Sequence, residues 1–355
     1  MKPAPQTRRS ATSHPRPAGG RRAWRPGARS FTAAVALALA LAAMAPHAAA
    51  QDRFPPMVLD SVALSPDTGS FTALTYNVAG LPPGVSKSKP LQNMPRISPL
   101  LAKYDLVLVQ EDFFFHSLLA ISAGHPYQSA PQATSRIFSK DFLNLLLSFP
   151  SLNVDGILGI MSDDRVTSDG LNRFSRFPFE EHRRETWSSC NGLTGGANDC
   201  LATKGFTYAR HQVAPGVTVD VYNVHADAGR RDGDIAAREK QFQQLAAFIA
   251  LHSEGQAVLV GGDTNLQSPV PGDEKIIQDF MAATGTRVAA RTLGQEDVVD
   301  RFFYRGGLTL ELEAVERAVA DEFVDGSGNP LSDHPAIRVR FQWKRLGPSV
   351  APTGP

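Results

Sequence analysis

Short apolar runs recur along this chain, and five of them stop at a polar cluster. The clusters are Thr75-Tyr76-Asn77, Gln110-Glu111-Asp112, Asn223-Val224-His225, Gly262-Asp263-Thr264-Asn265 and Ser332-Asp333-His334. Runs of this length, bounded by turn residues, read as strands. Function in layered α/β folds gathers at strand ends, so five such ends on one rim would place all these groups in one pocket. Turn chemistry explains any one triplet by itself; the reading rests on the five together.

Phe71 to Asn77 alternates like a strand and ends at Gly80, Pro82 and Pro83. Asp105 to Gln110 is continuously apolar after its first residue, as in a strand buried on both faces. Leu91 to Lys103 between them suits a crossover helix. Lys204 to Val213 and Val217 to His225 are strands joined by a turn at Pro215-Gly216. In the second, Val217, Val219, Val221, Asn223 and His225 share one face. Asp234 to His252 is an amphipathic helix, with Ile235, Phe242, Leu245, Ala246 and Ile249 on one stripe and charged residues opposite. Ala257 to Val260 is a short strand opening into Gly261-Gly262, which would let the backbone turn sharply beside a ligand. Lys275 to Thr284 suits a helix and Ala336 to Phe341 a last strand. Strands and helices are intermixed, with hairpin-like neighbours, which predicts an α/β fold with mixed sheets.

Residues 1–50 read as an export signal: many Arg and no acid, an apolar run from Phe31 to Ala45, then Ala48-Ala49-Ala50. The mature chain would begin at Gln51 and be secreted or periplasmic. A retained anchor is the competing reading, against which the run falls short of the roughly 20 apolar residues of a span. Arg21-Arg22 leaves the twin-arginine route open. Eight of the 36 basic residues lie in this segment, so 28 basic face 35 acidic residues in the remainder, a formal charge of −7. That balance lacks the electrostatic footprint of a nucleic-acid binder, although a bound divalent cation recruits phosphate locally. Residues 51–343 show no linker and no internal repeat, so one catalytic domain is expected, with a loose tail at 344–355. Cys190 and Cys200 would form a disulfide in an oxidising compartment, or remain two thiols. Phe142, Leu143, Leu145, Leu146, Leu147 and Phe149 form an apolar patch, either a buried helix end or a lipid-touching surface.

The clusters supply hard oxygen ligands for a cation and two imidazoles that titrate near neutrality. This inventory suits metal-assisted hydrolysis of a phosphate ester. Asp263 and Asn265, two apart after a strand, can project to one side, as can Asn223 and His225.

Tyr76-Asn77, Gln110-Glu111, Asn223-Val224-His225, Gly261-Gly262-Asp263-Thr264-Asn265, Asp300-Arg301-Phe302 and Ser332-Asp333-His334 resemble, in order, the endonuclease/exonuclease/phosphatase superfamily. The resemblance runs from residue 71 to 341 and implies a deoxyribonuclease I-like four-layer α/β sandwich, two mixed sheets face to face with helices outside. It implies that Glu111 binds Mg²⁺, or another divalent cation such as Mn²⁺, with Asn77 close by. It implies that His334, oriented by a carboxylate such as Asp333, is the general base. Asp263 would position water, and Asn265 would donate to the phosphate. His225 would stabilise developing charge or protonate the leaving group. Asn223 and Lys204 would contact substrate, and Asp300 would orient His225 or another site residue.

Cys200 to Phe206, the acidic turn Ala226 to Gly229, Asp169-Gly170-Leu171 and Phe174 to Pro178 resemble the secreted sphingomyelinase branch. Lys204 also reads as a strand-start residue lying along apolar surface. The segment Phe303 to Ser332 is acidic and lacks the aromatic-tipped hairpin of some sphingomyelinases. The resemblance implies a monomeric phosphodiesterase acting on a phospholipid at a membrane surface, sphingomyelin to ceramide and phosphocholine. An exported deoxyribonuclease I-like nuclease is the first alternative, and a non-catalytic phospho-ligand binder the second; the intact acid, amide and imidazole set disfavours the latter.

Overall fold

The computed structural model describes residues 66–81, 88–132, 169–191, 203–268, 270–289 and 299–347. The export segment, the Phe142–Phe149 patch and Cys200 lie outside these residues. Among the described residues the order is β1 (Thr68–Asn77), α1 (Pro90–Leu101), β2 (Leu106–Gln110), α2 (His116–Ala120), β3 (Tyr127–Gln128), β4 (Asn172–Ser175), β5 (Phe179–Thr186), β6 (Gly205–Ala214) and β7 (Val217–His225). There follow α3 (Asp232–His252), β8 (Val258–Asp263), α4 (Pro271–Thr284), β9 (Arg287–Val288), β10 (Asp300–Arg305), β11 (Leu310–Val319) and β12 (Ile337–Arg345).

The strands form two mixed six-stranded sheets, ordered β11-β12-β1-β2-β4-β3 and β5-β6-β7-β8-β10-β9. Each has one parallel pair, β1 with β2 and β7 with β8. The period-2 alternation then sorts the central strands. Phe71, Ala73, Leu106, Leu108, Val219, Val221, Leu259, Phe302 and Phe341 share the core between the sheets. The opposite faces pack outward: Leu74, Tyr76, Val107 and Val109 against Met94, Ile97 and Leu101 of α1, and Tyr222, Val224, Val258 and Val260 against Phe242, Leu245 and Ile249 of α3 and Phe280 of α4. Two sheets enclosed by helices make the four-layer α/β sandwich. Burying each such side chain contributes about 1.5–3 kcal/mol, so the alternation specifies both sheets. The α4 helix starts with proline in its first turn and stops at Gly285 in the left-handed region, the usual termini of a short helix.

Three expectations need correction. Gly261 and Gly262 make no sharp turn; they are inside β8. A Cβ on Gly261 would come within 2.3 Å of the Phe302 ring, and one on Gly262 within 2.1 Å of the Val224 carbonyl oxygen. Close approach of neighbouring atoms requires these glycines. The α3 face is not uniformly apolar: Asp234, Arg238 and Gln241 are buried in its first half, and Ile235 is only partly so. Finally, Lys344 and Arg345 are not tail but the end of β12, where Lys344 pairs with Thr68; residues 348–355 lie outside the described set.

Candidate active site

On the central strands the inter-sheet rows change from apolar to polar as they near one end. On β1 the row Phe71, Ala73 continues to Thr75 and Asn77; on β7, Val219 and Val221 give way to Asn223 and His225. Gln110 of β2 lies at the same depth as Thr75 and Asn223. It accepts from Thr75 Oγ1 at 3.3 Å, and its Nε2 donates to Asn223 Oδ1 at 2.7 Å. Asn223 Nδ2 donates to the Val109 and Asn172 carbonyls at 2.9 and 3.0 Å. Asn223 is wholly buried with its amide spent on these bonds. It therefore joins the sheets beneath the site rather than facing substrate, a correction to its expected contact.

One residue further along lies the site itself. Register sets His225 beside Asp263 across the parallel β7–β8 pair, and Asp300 opposite Asp263 across β8–β10. From the other sheet, Asn77 Nδ2 donates to Asp263 Oδ2 and to Glu111 Oε1, both at 3.1 Å. Asn77 Oδ1 accepts from the Ala79 N–H at 3.0 Å. Asn77 thus brackets two carboxylates, with its Oδ1 accepting from the Ala79 N–H.

The Gln110-Glu111-Asp112 cluster divides around the sheet. Gln110 points inward, Glu111 stands at the rim, and Asp112 binds His116 on the helix side at 2.5 Å. Glu111 occupies the left-handed region at φ 56°, an uncommon conformation for a residue with a side chain. Its carbonyl accepts from the Gly80 N–H at 3.0 Å. A Cβ on Gly80 would come within 2.3 Å of that oxygen, so glycine is needed there.

The Ser332-Asp333-His334 loop is tied down by Ser332, whose Oγ donates to the Asn77 carbonyl at 2.7 Å and accepts from the His334 N–H at 3.2 Å. His334 Nδ1 pairs with Asp300 Oδ2 at 2.8 Å, and its Nε2 is 3.9 Å from Asp263 Oδ2. The carboxylate orienting His334 is therefore Asp300. Asp333 is exposed, with Oδ1 3.4 Å from Ser332 Oγ. Sequence adjacency suggests Asp333; strand register delivers Asp300.

His225 Nε2 lies 3.5 Å from Asp263 Oδ2 and 3.9 Å from Glu111 Oε1, while its buried Nδ1 has no hydrogen-bond partner among the described residues. Burial, then the charges of Lys204 and His334, hold His225 well below the usual imidazole range. A neutral ring facing two carboxylates through Nε2 carries its proton there. His334 behaves oppositely. Burial alone would lower it, but the Asp300 hydrogen bond and the charges of Asp300, Asp263 and Glu111 raise it to about 10. Burial and the Asp263 charge push Asp300 up to about 6. Burial raises Glu111 as well, opposed by Lys204 and the Asn77 hydrogen bond. The two imidazoles thus differ in protonation because burial governs His225, whereas at His334 the hydrogen bond and charge of Asp300 outweigh burial.

Lys204 and Asn265 edge the cleft on one carbonyl: Ala226 O accepts from Lys204 Nζ at 3.2 Å and from Asn265 Nδ2 at 2.9 Å. Asn265 is partly exposed and left-handed at φ 51°, and its N–H donates to Asp263 Oδ1 at 3.0 Å.

The donor set fits a hard divalent cation. Glu111, Asp263 and Asp300 gather three carboxylates around His334 and Lys204, and buried Asp300 Oδ1 has no hydrogen-bond partner among the described residues. Ligand atoms of Asp263, Asp300 and His334 lie within 4.8 Å of one another. Asp300 and His334 already satisfy each other, which leaves half-buried Glu111 as the more open ligand. Cys190 precedes Asn191, whose N–H donates to Asp227 Oδ2 at 2.7 Å; its expected partner Cys200 lies outside the described residues.

No family profile matches the chain. It is 31% identical over 299 residues to sphingomyelinases of Mycobacterium bovis and Mycobacterium tuberculosis, covering 78% of this chain and 53% of each relative. The chain thus spans about half the length of the curated relatives it matches. Among solved structures, sphingomyelinase C from Streptomyces griseocarneus superposes with a TM-score of 0.51 at 20% identity, over 77% of this chain and 99% of that one. A Staphylococcus aureus beta toxin variant with bound magnesium ions superposes with a TM-score of 0.52 at 17% identity, over 76% and 99%. These likenesses show the fold to be shared.

Proposed function

We propose that this chain, a member of the endonuclease/exonuclease/phosphatase superfamily, is an exported, divalent-metal-dependent phosphodiesterase that cleaves sphingomyelin to ceramide and phosphocholine. The observation that carries the chemistry is the convergence of Glu111, His225, Asp263, Asp300 and His334, from five separate segments, at one end of the paired sheets. The kinship with mycobacterial sphingomyelinases supports the substrate. Residues 1–50 support export.

His334 Nε2 takes the proton from the attacking water, with Nδ1 held by Asp300 so that the ring keeps one orientation. Asp263 orients that water between the two imidazoles. Attack at phosphorus breaks the P–O bond to ceramide, whose departing oxygen takes a proton from solvent; neutral His225 donates Nε2–H to a phosphoryl oxygen as charge builds there, and Asn265 and Lys204 add donors from the cleft edge. Glu111 would hold the cation, which would neutralise phosphoryl oxygens and, as a nearby positive charge, would favour the neutral form of His334.

The test is a panel of sphingomyelin, phosphatidylcholine, DNA, RNA and inositol phosphates, each with Mg²⁺ and with chelator. Cleavage of sphingomyelin with no nicking of plasmid DNA is expected. Nicking without lipid cleavage would replace this reading with a nuclease, and no Mg²⁺-dependent cleavage of any phosphodiester would favour a binding protein. Glu111→Gln should raise the Mg²⁺ concentration needed for half-maximal rate, since one anionic ligand is lost; an unchanged metal titration would remove Glu111 from that role.

A further inference from the structure

We propose that the buried Arg238–Asp273 pair is a positioning device, setting Asn265 and Lys204 for turnover without touching any reacting atom; this rests on the phosphodiesterase reading above. Arg238 is fully buried on α3, and Asp273 nearly so on α4. A buried ion pair is weak stabilisation, because apolar residues of the same volume often do as well. The geometry points instead to a clamp.

Arg238 Nε and Nη2 donate to Asp273 Oδ1 at 3.0 and 2.8 Å. Arg238 Nη1 donates to the carbonyls of Asp227 and Gly229 at 3.0 and 2.9 Å. Asp273 Oδ2 accepts from the Gln267 N–H at 3.1 Å. One planar guanidinium therefore ties the turn after His225 to the loop after Asn265. Gln241, one turn along α3, reinforces the first connection by accepting from the Asp227 N–H at 3.0 Å and donating to Asp227 Oδ1 at 2.7 Å.

The clamped turn begins at Ala226. Its carbonyl is the shared acceptor for Lys204 Nζ and Asn265 Nδ2, and its N–H donates to the Asp263 carbonyl at 3.0 Å. A shift of this turn thus moves both cleft-edge donors at once. Asn265 has the further burden of a left-handed backbone at φ 51°, which persists only where surroundings over-determine it. Lysine at position 238 would keep the charge but lose the fork that reaches two carbonyls and a carboxylate together.

The experiment compares wild type, Arg238→Lys, Asp273→Asn and Ile249→Ala with a soluble chromogenic phosphodiester in Mg²⁺, well below every Tm. Ile249 lies on the same helix, buried in the apolar cluster with Phe242 and Leu245. Its variant should lose thermal stability and keep kcat. Arg238→Lys should lose about 100-fold in kcat, the scale of a misplaced positioning contact, with KM moved less than about threefold. Asp273→Asn should show the same split and stands in if Arg238→Lys fails to fold. A kcat for either within about twofold of the Ile249→Ala value would overturn the proposal. If wild type cleaves no phosphodiester, the functional reading fails, and the clamp is judged by the NMR signals of the Asn265 side-chain amide. Displacement in Arg238→Lys but not in Ile249→Ala supports it; the same signals in both overturn it.

Discussion

Asp300 decides the behaviour of the site at the scale of single residues. It holds His334 by one oxygen and is itself fully buried. In the cation-free protein the raised pKa of His334 contributes stability that is whole below its unfolded value of about 6.5 and is lost as pH rises through about 10. His334→Ala should lower kcat by about 10²–10⁴-fold, the span of a lost general base. It should also leave Asp300 as an unpaired buried carboxylate. The folded pKa of Asp300, already raised to about 6 by burial and Asp263, then rises further above its unfolded value. A folded state that binds more protons than the unfolded one loses stability as pH rises. Wild type does so through both Asp300 and His334, so urea midpoints of His334→Ala should fall less steeply than those of wild type as pH rises from about 8 towards about 10; parallel profiles would mean the pair carries no such linkage. The residue types were readable from sequence at Glu111, His225, Asp263 and His334. Their partners were not. Asp300 lies 34 residues before His334 in the chain, and only the antiparallel register with β8 brings it opposite Asp263. Asn77 and Asn223 likewise look alike as strand-end amides, yet one brackets carboxylates and the other fastens the sheets together.

Among the elements, β8 shows why a glycine pair can be structural inside a catalytic motif. Gly261 lies against Phe302 and Leu108 between the sheets. Gly261→Ala should cost about 1–3 kcal/mol by overpacking, measurable by chemical denaturation; no loss would mean the sheets separate more easily than their packing indicates. Strand β7 could be read from alternation and β2 from a continuous apolar run, because β7 alternates between the inter-sheet core and the α3 side and β2 buries both faces in apolar clusters. The first half of α3 could not. Arg238 and Gln241 look like a solvated face by period, but the turn after His225 supplies carbonyl and amide partners that only the fold brings within reach. A Cys190–Cys200 bridge belongs to this scale as well. Closing a short loop, it would stabilise by about 2–3 kcal/mol, and thermal unfolding unmoved by reductant would contradict it.

Over the whole molecule, two sheets with inward rows that turn from apolar to polar at the same end generate a cleft without any loop having to reach far. This explains how catalytic groups so distant in sequence can be recognised in order: His225 and Asp263 end their strands, Glu111 follows β2, Asp300 opens β10 and His334 lies in the loop before β12. What the order of motifs does not contain is substrate preference, since a shared scaffold hosts different chemistries through its loops. The central claim is that this cleft is a cation-dependent phosphodiesterase site acting on sphingomyelin. The most direct test is phosphocholine release from sphingomyelin vesicles by the purified protein, in Mg²⁺ and in chelator, beside His334→Ala. Release that requires Mg²⁺ and collapses in the variant is predicted. No release, or release indifferent to both chelator and His334, would contradict it.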